Sequence, residues 1–242
     1  MKKAVKRIKK NLQIAIDGPV AAGKGTVAKL LSEKLGILYV DTGGMYRALT
    51  FFIKKHSISW EKEKKICNLI EKYKPHVGLE VPQREKKDGR LVTLYLNGKD
   101  ISWKVRTEEI SWGVSTITRY QCIRDYMVPQ QQRLAKKQAV VMEGRDITTR
   151  VLPKADLKIF LTAKPKERAR RRFKQLLDKG EDVSFERVFK DLRKRDYQDS
   201  HREIDPLRKA PDAWELDTTY LTIPKVIDEI LKKMEEKGLI VL

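Results

Sequence analysis

Residues 18–26 read GPVAAGKGT, and the segments on either side of this stretch decide the fold. The preceding residues 12–17, LQIAID, form a short apolar run that ends at a glycine, which is the pattern of a buried strand. Residues 24–35 follow with apolar side chains at helical spacing, and Gly36 closes that helix. A strand, a glycine-rich loop and a helix in this order predict the first unit of an α/β layer built on a parallel sheet.

The same alternation continues along the chain. Residues 37–40 predict a second strand, and residues 45–56 predict a second long helix. Three later apolar runs complete a predicted sheet of five strands, at residues 139–142, 157–161 and 213–216. Further helical patterns occupy residues 105–137, 165–179, 184–198 and 224–237.

One segment interrupts this alternation. Between Val77 and Ile101, two β-like runs, VGLEV and LVTLYL, flank a KKDG turn, and a second turn follows at NGKD. The pattern predicts a small antiparallel meander inserted into the α/β chain. Since the sequence has no internal repeat and no low-complexity linker, one core with insertions is favoured over two separable domains.

The chain is strongly basic. Its 242 residues carry 53 Lys and Arg against 33 Asp and Glu, which gives a formal net charge of +20. Such an excess raises the affinity for polyanions, which include nucleic acids, nucleotides and anionic membrane surfaces. Most of the lysines fit solvated positions at the chain ends and on helix faces. Charge alone therefore does not distinguish an RNA-binding protein from a nucleotide-binding enzyme.

Apolar content and cysteine usage bear on the cellular compartment. No window approaches the roughly 20 consecutive apolar residues of a membrane span, and no apolar segment directly follows the basic residues 1–10. We therefore expect neither a membrane span nor a signal peptide. Cys67 and Cys122 lie far apart in the sequence without CxxC spacing. We expect two free thiols, no structural zinc site and a cytoplasmic protein.

The glycine-rich loop is suited to binding a phosphate chain. Its glycines allow the backbone to turn tightly, so that N–H groups converge on phosphate oxygens beside the positive end of the helix dipole. Lys24 is placed to bridge the β- and γ-phosphates, and Thr26 is placed to offer its hydroxyl to Mg²⁺. We predict a nucleoside triphosphate site rather than a turn without a ligand. The residues assigned to it are Gly18, Ala21, Gly23, Lys24, Gly25 and Thr26.

Charged residues also follow two other predicted strands, at the carboxyl edge where α/β proteins bind ligands. Thr42 and Arg47 come after the second strand and are candidates to hold a second anion. Arg145 and Asp146 follow the strand at 139–142 and offer one cation and one hydrogen-bond acceptor. The alternatives are an ordinary surface arginine at position 47 and a structural ion pair at positions 145 and 146.

A further set of charges is spaced for one face of a helix. Arg195, Asp199 and Arg202 lie four and three residues apart, over about 10 Å of helix. They present two guanidinium groups with a carboxylate between them. A solvated salt-bridge ladder is the alternative interpretation. The arginines at 168 and 170–172 are equally ambiguous, and we expect most of them to face water.

Six strings, taken in order, closely resemble the bacterial cytidylate kinase family over about residues 12–234. They are IDGPVAAGKGT, DTGGMYRAL, VRTEEIS, EGRDI, RDYQDSHREIDPL and AWELDTTYLTI. The resemblance implies a P-loop kinase core with a parallel five-stranded sheet flanked by helices. It also implies transfer of the γ-phosphoryl group of ATP to CMP, and to dCMP, by a monomer that uses Mg²⁺ and needs neither nucleic acid nor membrane.

The resemblance also divides the chain. A basic tail over residues 1–10 precedes a single kinase domain over residues 11–242. Within this domain, a monophosphate-binding insert covers about residues 75–104, and a helical lid covers about residues 190–206.

Individual residues take roles from the same resemblance. They form three groups: arginines that bind phosphate, lid residues over the phosphates and the sugar, and residues that recognise cytosine. In this order they are Arg47, Arg106 and Arg145; Arg195, Arg202 and Asp199; and Ser115, Arg124 and Asp146. A carboxylate beside an arginine matches the cytosine edge, whereas the O4 atom of uracil would be repelled by the carboxylate.

Three positions depart from the family pattern. Glu143 stands where the family usually has Asp, which keeps the charge but changes its reach. Thr148 replaces a glycine and puts a close backbone approach at that point in doubt. Arg150 occupies a position that is normally apolar.

The reaction implied by the family needs no catalytic base, because a phosphate acceptor with a second pKa of about 6 is already largely ionised at pH 7. We expect in-line transfer without a covalent intermediate, with charge neutralised by Mg²⁺ and by Lys24, Arg145, Arg195 and Arg202. One rival is a kinase of the same class that phosphorylates UMP, AMP or a small metabolite. Another is a basic P-loop protein that binds nucleic acid. Such a protein needs an aromatic-rich basic surface, whereas the aromatic residues here make up only 7% of the chain and are scattered.

Overall fold

The structure is a computed structural model that describes residues 5–80, 92–178 and 180–241. The strands in these ranges are β1 (Arg7–Ile8), β2 (Gln13–Asp17), β3 (Leu38–Asp41), β4 (Val77–Glu80), β5 (Thr93–Leu96), β6 (Lys99–Asp100), β7 (Val140–Gly144), β8 (Leu157–Thr162), β9 (Trp214–Asp217) and β10 (Ile240–Val241). The helices are α1 (Lys24–Leu35), α2 (Thr42–Lys55), α3 (Glu63–Tyr73), α4 (Glu108–Ile117), α5 (Gln121–Lys137), α6 (Pro165–Leu177), α7 (Phe185–His201) and α8 (Ile223–Glu236). A π-helical turn occupies Ile147–Val151.

The central sheet contains five parallel strands in the order β3-β7-β2-β8-β9. These are the five strands predicted from the sequence, with bounds that differ by one or two residues. The side chains of Ile14, Ala15 and Ile16 on β2 are fully buried. Successive residues of a strand point to opposite faces, so both faces of this strand are covered. The predicted α/β class with a five-stranded parallel sheet is confirmed.

The predicted helix over residues 105–137 is two helices. Thr107 caps the first turn of α4, because its hydroxyl oxygen accepts the N–H of Ile110 at 3.3 Å. α4 ends at Ile117, and α5 begins at Gln121 after a short turn. Within the ranges that the structure describes, none of the helices is both long enough and apolar enough to cross a bilayer.

A separate antiparallel sheet contains β4, β5 and β6. Val77 on β4 lies opposite Leu96 on β5, and Leu96 in turn lies opposite Lys99 on β6. This arrangement is the predicted meander over its described part. The predicted KKDG turn at residues 86–89 lies outside the described residues.

The two ends of the described chain pair with each other. Arg7 lies opposite Val241, and Ile8 lies opposite Ile240, in a two-stranded antiparallel ladder of β1 with β10. Lys9 then forms an ion pair with Asp156. Part of the basic segment at residues 1–10 is therefore held against the domain.

The two cysteines form a disulfide, so the prediction of two free thiols is wrong. Cys67 on α3 and Cys122 on α5 are 55 residues apart in sequence, but their Cα atoms are 5.8 Å apart. The prediction failed because the two cysteines are far apart along the chain but are brought close in space when α3 packs against α5. Cysteine usage therefore gives no support to a reducing compartment.

We expect the Cys67–Cys122 disulfide to stabilise the fold measurably. Closing a loop of this length lowers the conformational entropy of the unfolded chain, by an amount worth about 4 kcal/mol in the chain-entropy model. Cys67→Ser should lower the free energy of unfolding by up to about this amount in urea titrations. A reductant should do the same to the wild type and leave the variant unchanged. Two titratable thiols in the unreduced protein would contradict the disulfide.

Candidate active site

Three strand ends meet at one edge of the central sheet. In the register of β2 with β7, Asp17 lies beside Gly144, and in the register of β3 with β7, Asp41 lies beside Glu143. The loop at residues 18–26 leaves the end of β2, next to the charged residues that leave β3 and β7. The positions that the sequence analysis placed at the carboxyl edge are therefore neighbours in space.

The glycine-rich loop has the backbone conformation of a phosphate cradle. Gly18 has φ 152°, and a Cβ atom at this position would lie 2.0 Å from the carbonyl oxygen of Leu161 on β8. Ala21 and Gly23 both have positive φ, 58° and 93°, and Gly23 caps α1. Turns of this kind direct successive N–H groups into one concave site.

The ammonium group of Lys24 lies inside this loop. Lys24 is buried, and its Nζ donates to the carbonyl oxygen of Pro19 at 2.8 Å. Burial and the nearby Arg145 lower the pKa of Lys24, Glu143 and Asp199 oppose this shift, and the resulting pKa is about 7. An anion bound in the loop would restore the charged form, because an opposite charge favours the ammonium.

The loop also fits Mg²⁺ that arrives with a nucleotide. Magnesium bound to substrate phosphates keeps several waters and takes only one or two protein oxygens. Thr26 lies exposed in the first turn of α1, with its hydroxyl available as such an oxygen. Among the residues that the structure describes, no cluster of three or more His, Cys, Asp or Glu side chains is arranged for a metal ion.

The residues after β3 are tied to the strand ends. Asp41 caps α2 by accepting the N–H of Gly44 at 2.7 Å, and it also accepts Nη2 of Arg47 at 2.6 Å. The hydroxyl of Thr42 donates to the carbonyl oxygen of Glu143 at 2.7 Å. Among the residues that the structure describes, none accepts a hydrogen bond from the buried Nε of Arg47.

Arg106 stands at the start of α4, directly before the cap residue Thr107. Its guanidinium carbon lies 5.1 Å from the centre of the Trp103 ring. Burial raises the pKa of Tyr39 on β3, and Arg106 is among the cations that oppose this shift, so Arg106 lies near the same sheet edge.

The predicted helical face does not form a solvated ladder. Asp199 on α7 accepts Nε of Arg145 at 2.8 Å, rather than pairing with an arginine of its own helix. Burial opposes ionisation of Asp199, but Arg145, Arg202 and Arg195 outweigh it and hold the pKa of Asp199 below its ordinary value. Nε of Arg195 is buried, and no group of the described chain accepts a hydrogen bond from it. Burial, followed by repulsion from Arg145, lowers the pKa of Arg195.

A second cluster of charges surrounds Arg124 on α5, which is 1% exposed. Nη2 of Arg124 donates to Asp146, Nε donates to Asp205 at 2.7 Å, and Nη1 reaches the carbonyl oxygen of Thr118 at 3.4 Å. Nη2 of Arg202 lies 3.5 Å from the other oxygen of Asp146. Arg124, Asp146 and Arg202 are thus neighbours in the structure.

Ser115 is not joined to this cluster. It lies half-buried on α4. No hydrogen bond among the described residues links it to Arg124 or Asp146. Its predicted contact with the base stays a prediction.

The comparisons with known proteins agree with this arrangement. The Cytidylate kinase family matches residues 14–236 of the chain. The chain belongs to this family. It is 45% identical to the cytidylate kinase of Bacillus subtilis over 231 residues, which cover 96% of this chain and all of that protein. It is also 45% identical to the cytidylate kinase of Lactobacillus johnsonii, over 93% of this chain and 95% of that protein.

Thr148, a departure from the cytidylate kinase pattern, supports a buried carboxylate. Its N–H and its hydroxyl both donate to Asp17, at 2.7 and 2.6 Å, and the N–H of Ile147 donates at 2.9 Å. Burial raises the pKa of Asp17, the Thr148 hydroxyl opposes this shift, the nearby Asp146 adds to it, and the resulting pKa is about 6. The side chain that replaces the family glycine therefore supplies a hydrogen bond between β2 and the turn after β7.

Glu143 is a second departure, and it lies among charges of both signs. Burial raises the pKa of Glu143, and the neighbouring Asp41 raises it further. Lys24, Arg145 and Arg47 oppose this shift. The carboxylate thus balances part of the positive charge at the sheet edge.

Arg168 is a residue that the sequence analysis misjudged. It was grouped with arginines expected to face water, but it is 4% exposed. It donates to the carbonyl oxygens of Ala163 and Val20, at 2.8 and 3.0 Å, and to Asp196 on α7 at 2.7 Å. Asp196 also accepts the N–H of Val20 at 3.2 Å. Arg168 and Asp196 therefore connect α6, the glycine-rich loop and α7.

We expect Thr148→Val to destabilise the fold in a pH-dependent way. A raised pKa means that the native Asp17 carboxyl is neutral at pH 5 and ionised at pH 8. Loss of a hydroxyl donor to an ionised group costs about 1.5–3 kcal/mol, against about 0.5–1.5 kcal/mol for a neutral one. Urea titrations should therefore show a larger loss at pH 8 than at pH 5, whereas the matched control Thr148→Ser should lose less at both. An equal loss at both pH values would contradict the contact with Asp17.

Proposed function

We propose that this member of the cytidylate kinase family transfers the γ-phosphoryl group of ATP to CMP, and to dCMP. The observation that carries the proposal is the buried pair of Arg124 and Asp146 at the same sheet edge as the phosphate loop. A phosphate loop alone supports any nucleotide-dependent activity. A buried base-reading pair beside it supports a nucleotide acceptor.

The pair favours cytosine over uracil. Asp146 is buried, and its carboxylate would accept a hydrogen bond from the N4 amino group of cytosine. Uracil has a carbonyl oxygen at the same position, so two acceptors would face each other without a proton between them. The N–H groups of Arg124 would serve the acceptor atoms of the cytosine edge.

The transfer step is proposed to rest on positioning and charge. Lys24 and the loop N–H groups would hold the ATP phosphates, and the Thr26 hydroxyl would bind the Mg²⁺ that accompanies them, which neutralises phosphate charge. Arg145 would contact the phosphates, and Arg195 would add a second cation from the lid. No covalent intermediate is needed, because the acceptor phosphate is already an anion.

The acceptor phosphate is proposed to bind between α2 and α4. Arg47 and Arg106 are the cations on this side, and Thr42 adds a hydroxyl. Asp199 would contact the sugar, and Arg202 would span the sugar and the phosphate. We assign β4–β6, within residues 75–104, to the monophosphate-binding insert, and residues 190–206 to the lid. We further propose a monomeric, cytoplasmic enzyme that does not bind nucleic acid or membranes.

The acceptor proposal is tested by ADP release from Mg·ATP in the presence of CMP, dCMP, UMP, AMP or GMP. We expect release to depend strongly on CMP and dCMP, and kcat/KM for UMP to be lower by about 10²-fold or more, because Asp146 would face the uracil O4. Equal activity with UMP would contradict the base-recognition argument. Absence of stimulation by every monophosphate would overturn the kinase proposal itself.

Arg195→Ala should separate catalysis from stability. Nε of Arg195 has no acceptor in the described part of the chain, and Arg145 repels the group, so its removal should leave the free energy of unfolding unchanged or raise it. We expect kcat to fall by about 10²–10³-fold, as for other cations that neutralise transferring phosphoryl groups. Arg193→Ala is the control, since Arg193 is an exposed arginine of the same helix. Near-normal kcat in Arg195→Ala would remove Arg195 from the reaction.

Nucleotide binding should take up a proton. At pH 8, a Lys24 pKa of about 7 leaves most of the side chain neutral, and binding of phosphates favours the ammonium form. Calorimetric titration with Mg·ADP at pH 8, in buffers of different ionisation enthalpy, should show uptake approaching one proton. The affinity should fall as the pH rises above 7. Lys24→Arg keeps its charge and should show no uptake; equal apparent binding enthalpy in all buffers for the wild type would contradict the lowered pKa.

A further inference from the structure

Asp205 lies in the turn that follows the lid helix α7. Its backbone has φ 46°, in the left-handed region that non-glycine residues seldom adopt. Its carboxylate accepts Nε of Arg124 at 2.7 Å and lies 3.7 Å from Nε of Arg150. Neither the predicted catalytic residues nor the predicted binding residues include Asp205.

Asp205 helps to fix the orientation of the Arg124 guanidinium. With Nε held by Asp205, Nη2 by Asp146 and Nη1 near the carbonyl oxygen of Thr118, each nitrogen of this guanidinium has an acceptor. A planar guanidinium that is held on several sides cannot rotate without losing charge-assisted hydrogen bonds. The orientation of Arg124 therefore depends on Asp205 as well as on Asp146.

The same residue is bound to the lid arginine. Nε of Arg202 donates to the backbone carbonyl oxygen of Asp205 at 2.8 Å, and Nη2 donates to the same atom. Arg202 also lies 3.5 Å from Asp146. Asp205 thus contacts Arg124 through its side chain and Arg202 through its backbone.

Asp205 also affects how Asp146 pairs with the two arginines next to it. Without Asp205, the two arginines that flank Asp146 would have this one carboxylate as their shared anionic partner. Arg124 could then turn both of its outer nitrogens onto Asp146 and occupy the oxygen that the base needs. A second carboxylate on Nε opposes this bidentate pairing, so that the other oxygen of Asp146 faces only the longer, 3.5 Å contact with Arg202 among the arginines of this cluster.

We propose that Asp205 is a positioning residue for recognition of the acceptor base. It holds Arg124 away from bidentate pairing with Asp146, and it connects that arrangement to the lid through Arg202. This inference rests on the proposed CMP kinase activity and adds to it a specificity-determining residue outside the phosphate and base contacts. Arg150, which approaches the same carboxylate, balances its charge at the surface.

Asp205→Asn tests the inference, because it keeps the shape of the side chain and removes its charge. At saturating Mg·ATP, we expect KM for CMP to rise about 10-fold, the value of one charge-assisted hydrogen bond. The ratio of kcat/KM for CMP to that for UMP should fall by a similar factor. KM for ATP should stay within twofold, and kcat should change less than KM. Asp205→Glu should recover part of the discrimination.

Glu203→Gln is the matched control, since it removes an exposed carboxylate from the same turn. It should leave both KM and the CMP-to-UMP ratio unchanged. If the wild type failed to phosphorylate CMP, the proposed function would fall, and this inference with it. If the wild type were active on CMP but Asp205→Asn kept its KM and its discrimination, or lost kcat equally with both acceptors, the inference alone would be overturned.

Discussion

The parallel pairing of β2 with β7, and of β7 with β3, is the constraint on which the site depends. It places the ends of three strands side by side, with Asp17 beside Gly144 and Asp41 beside Glu143. Because parallel strands finish at the same edge, every loop that leaves them opens into one space. The phosphate loop therefore meets the acceptor side through register alone. No flexible segment has to bring the two together.

Because the three strand ends lie side by side, several charged side chains are buried close together at this edge of the sheet. Lys24, Glu143 and Arg145 lie within electrostatic reach of one another, and burial disfavours the charged form of each of them. Such groups are tolerated when opposite charges alternate, since an isolated buried charge costs far more than a paired one. Asp199 on α7 forms an ion pair with Arg145 and extends this alternation. The charges of the sheet edge thus contribute to holding α7 in place.

The sheet and the glycine-rich loop could be predicted from the sequence. A strand buried on both faces is a continuous apolar run, and the loop is recognised by residues that are adjacent in the chain. Helix α3 was not predicted, although Ile66, Leu69 and Ile70 have helical spacing and are buried. The disulfide and the contacts of Arg168 could not be predicted in the same way. Both depend on residues that are close only after folding: Cys122 for Cys67, and Val20 and Asp196 for Arg168.

Buried arginines that cannot be told apart in the sequence differ in the structure by whether nearby groups accept their N–H hydrogen bonds. Arg168 and Arg124 are buried, and protein oxygens accept their N–H groups, so both can hold the fold as it stands. Arg195 has a buried Nε that no described group accepts and a pKa lowered by burial and by a neighbouring cation. A buried guanidinium nitrogen without an acceptor lowers the stability of the protein, and under the proposed function a phosphoryl group would offset that cost. Arg168 and Arg124 therefore differ from Arg195 in the acceptors that the described part of the chain supplies to their N–H groups.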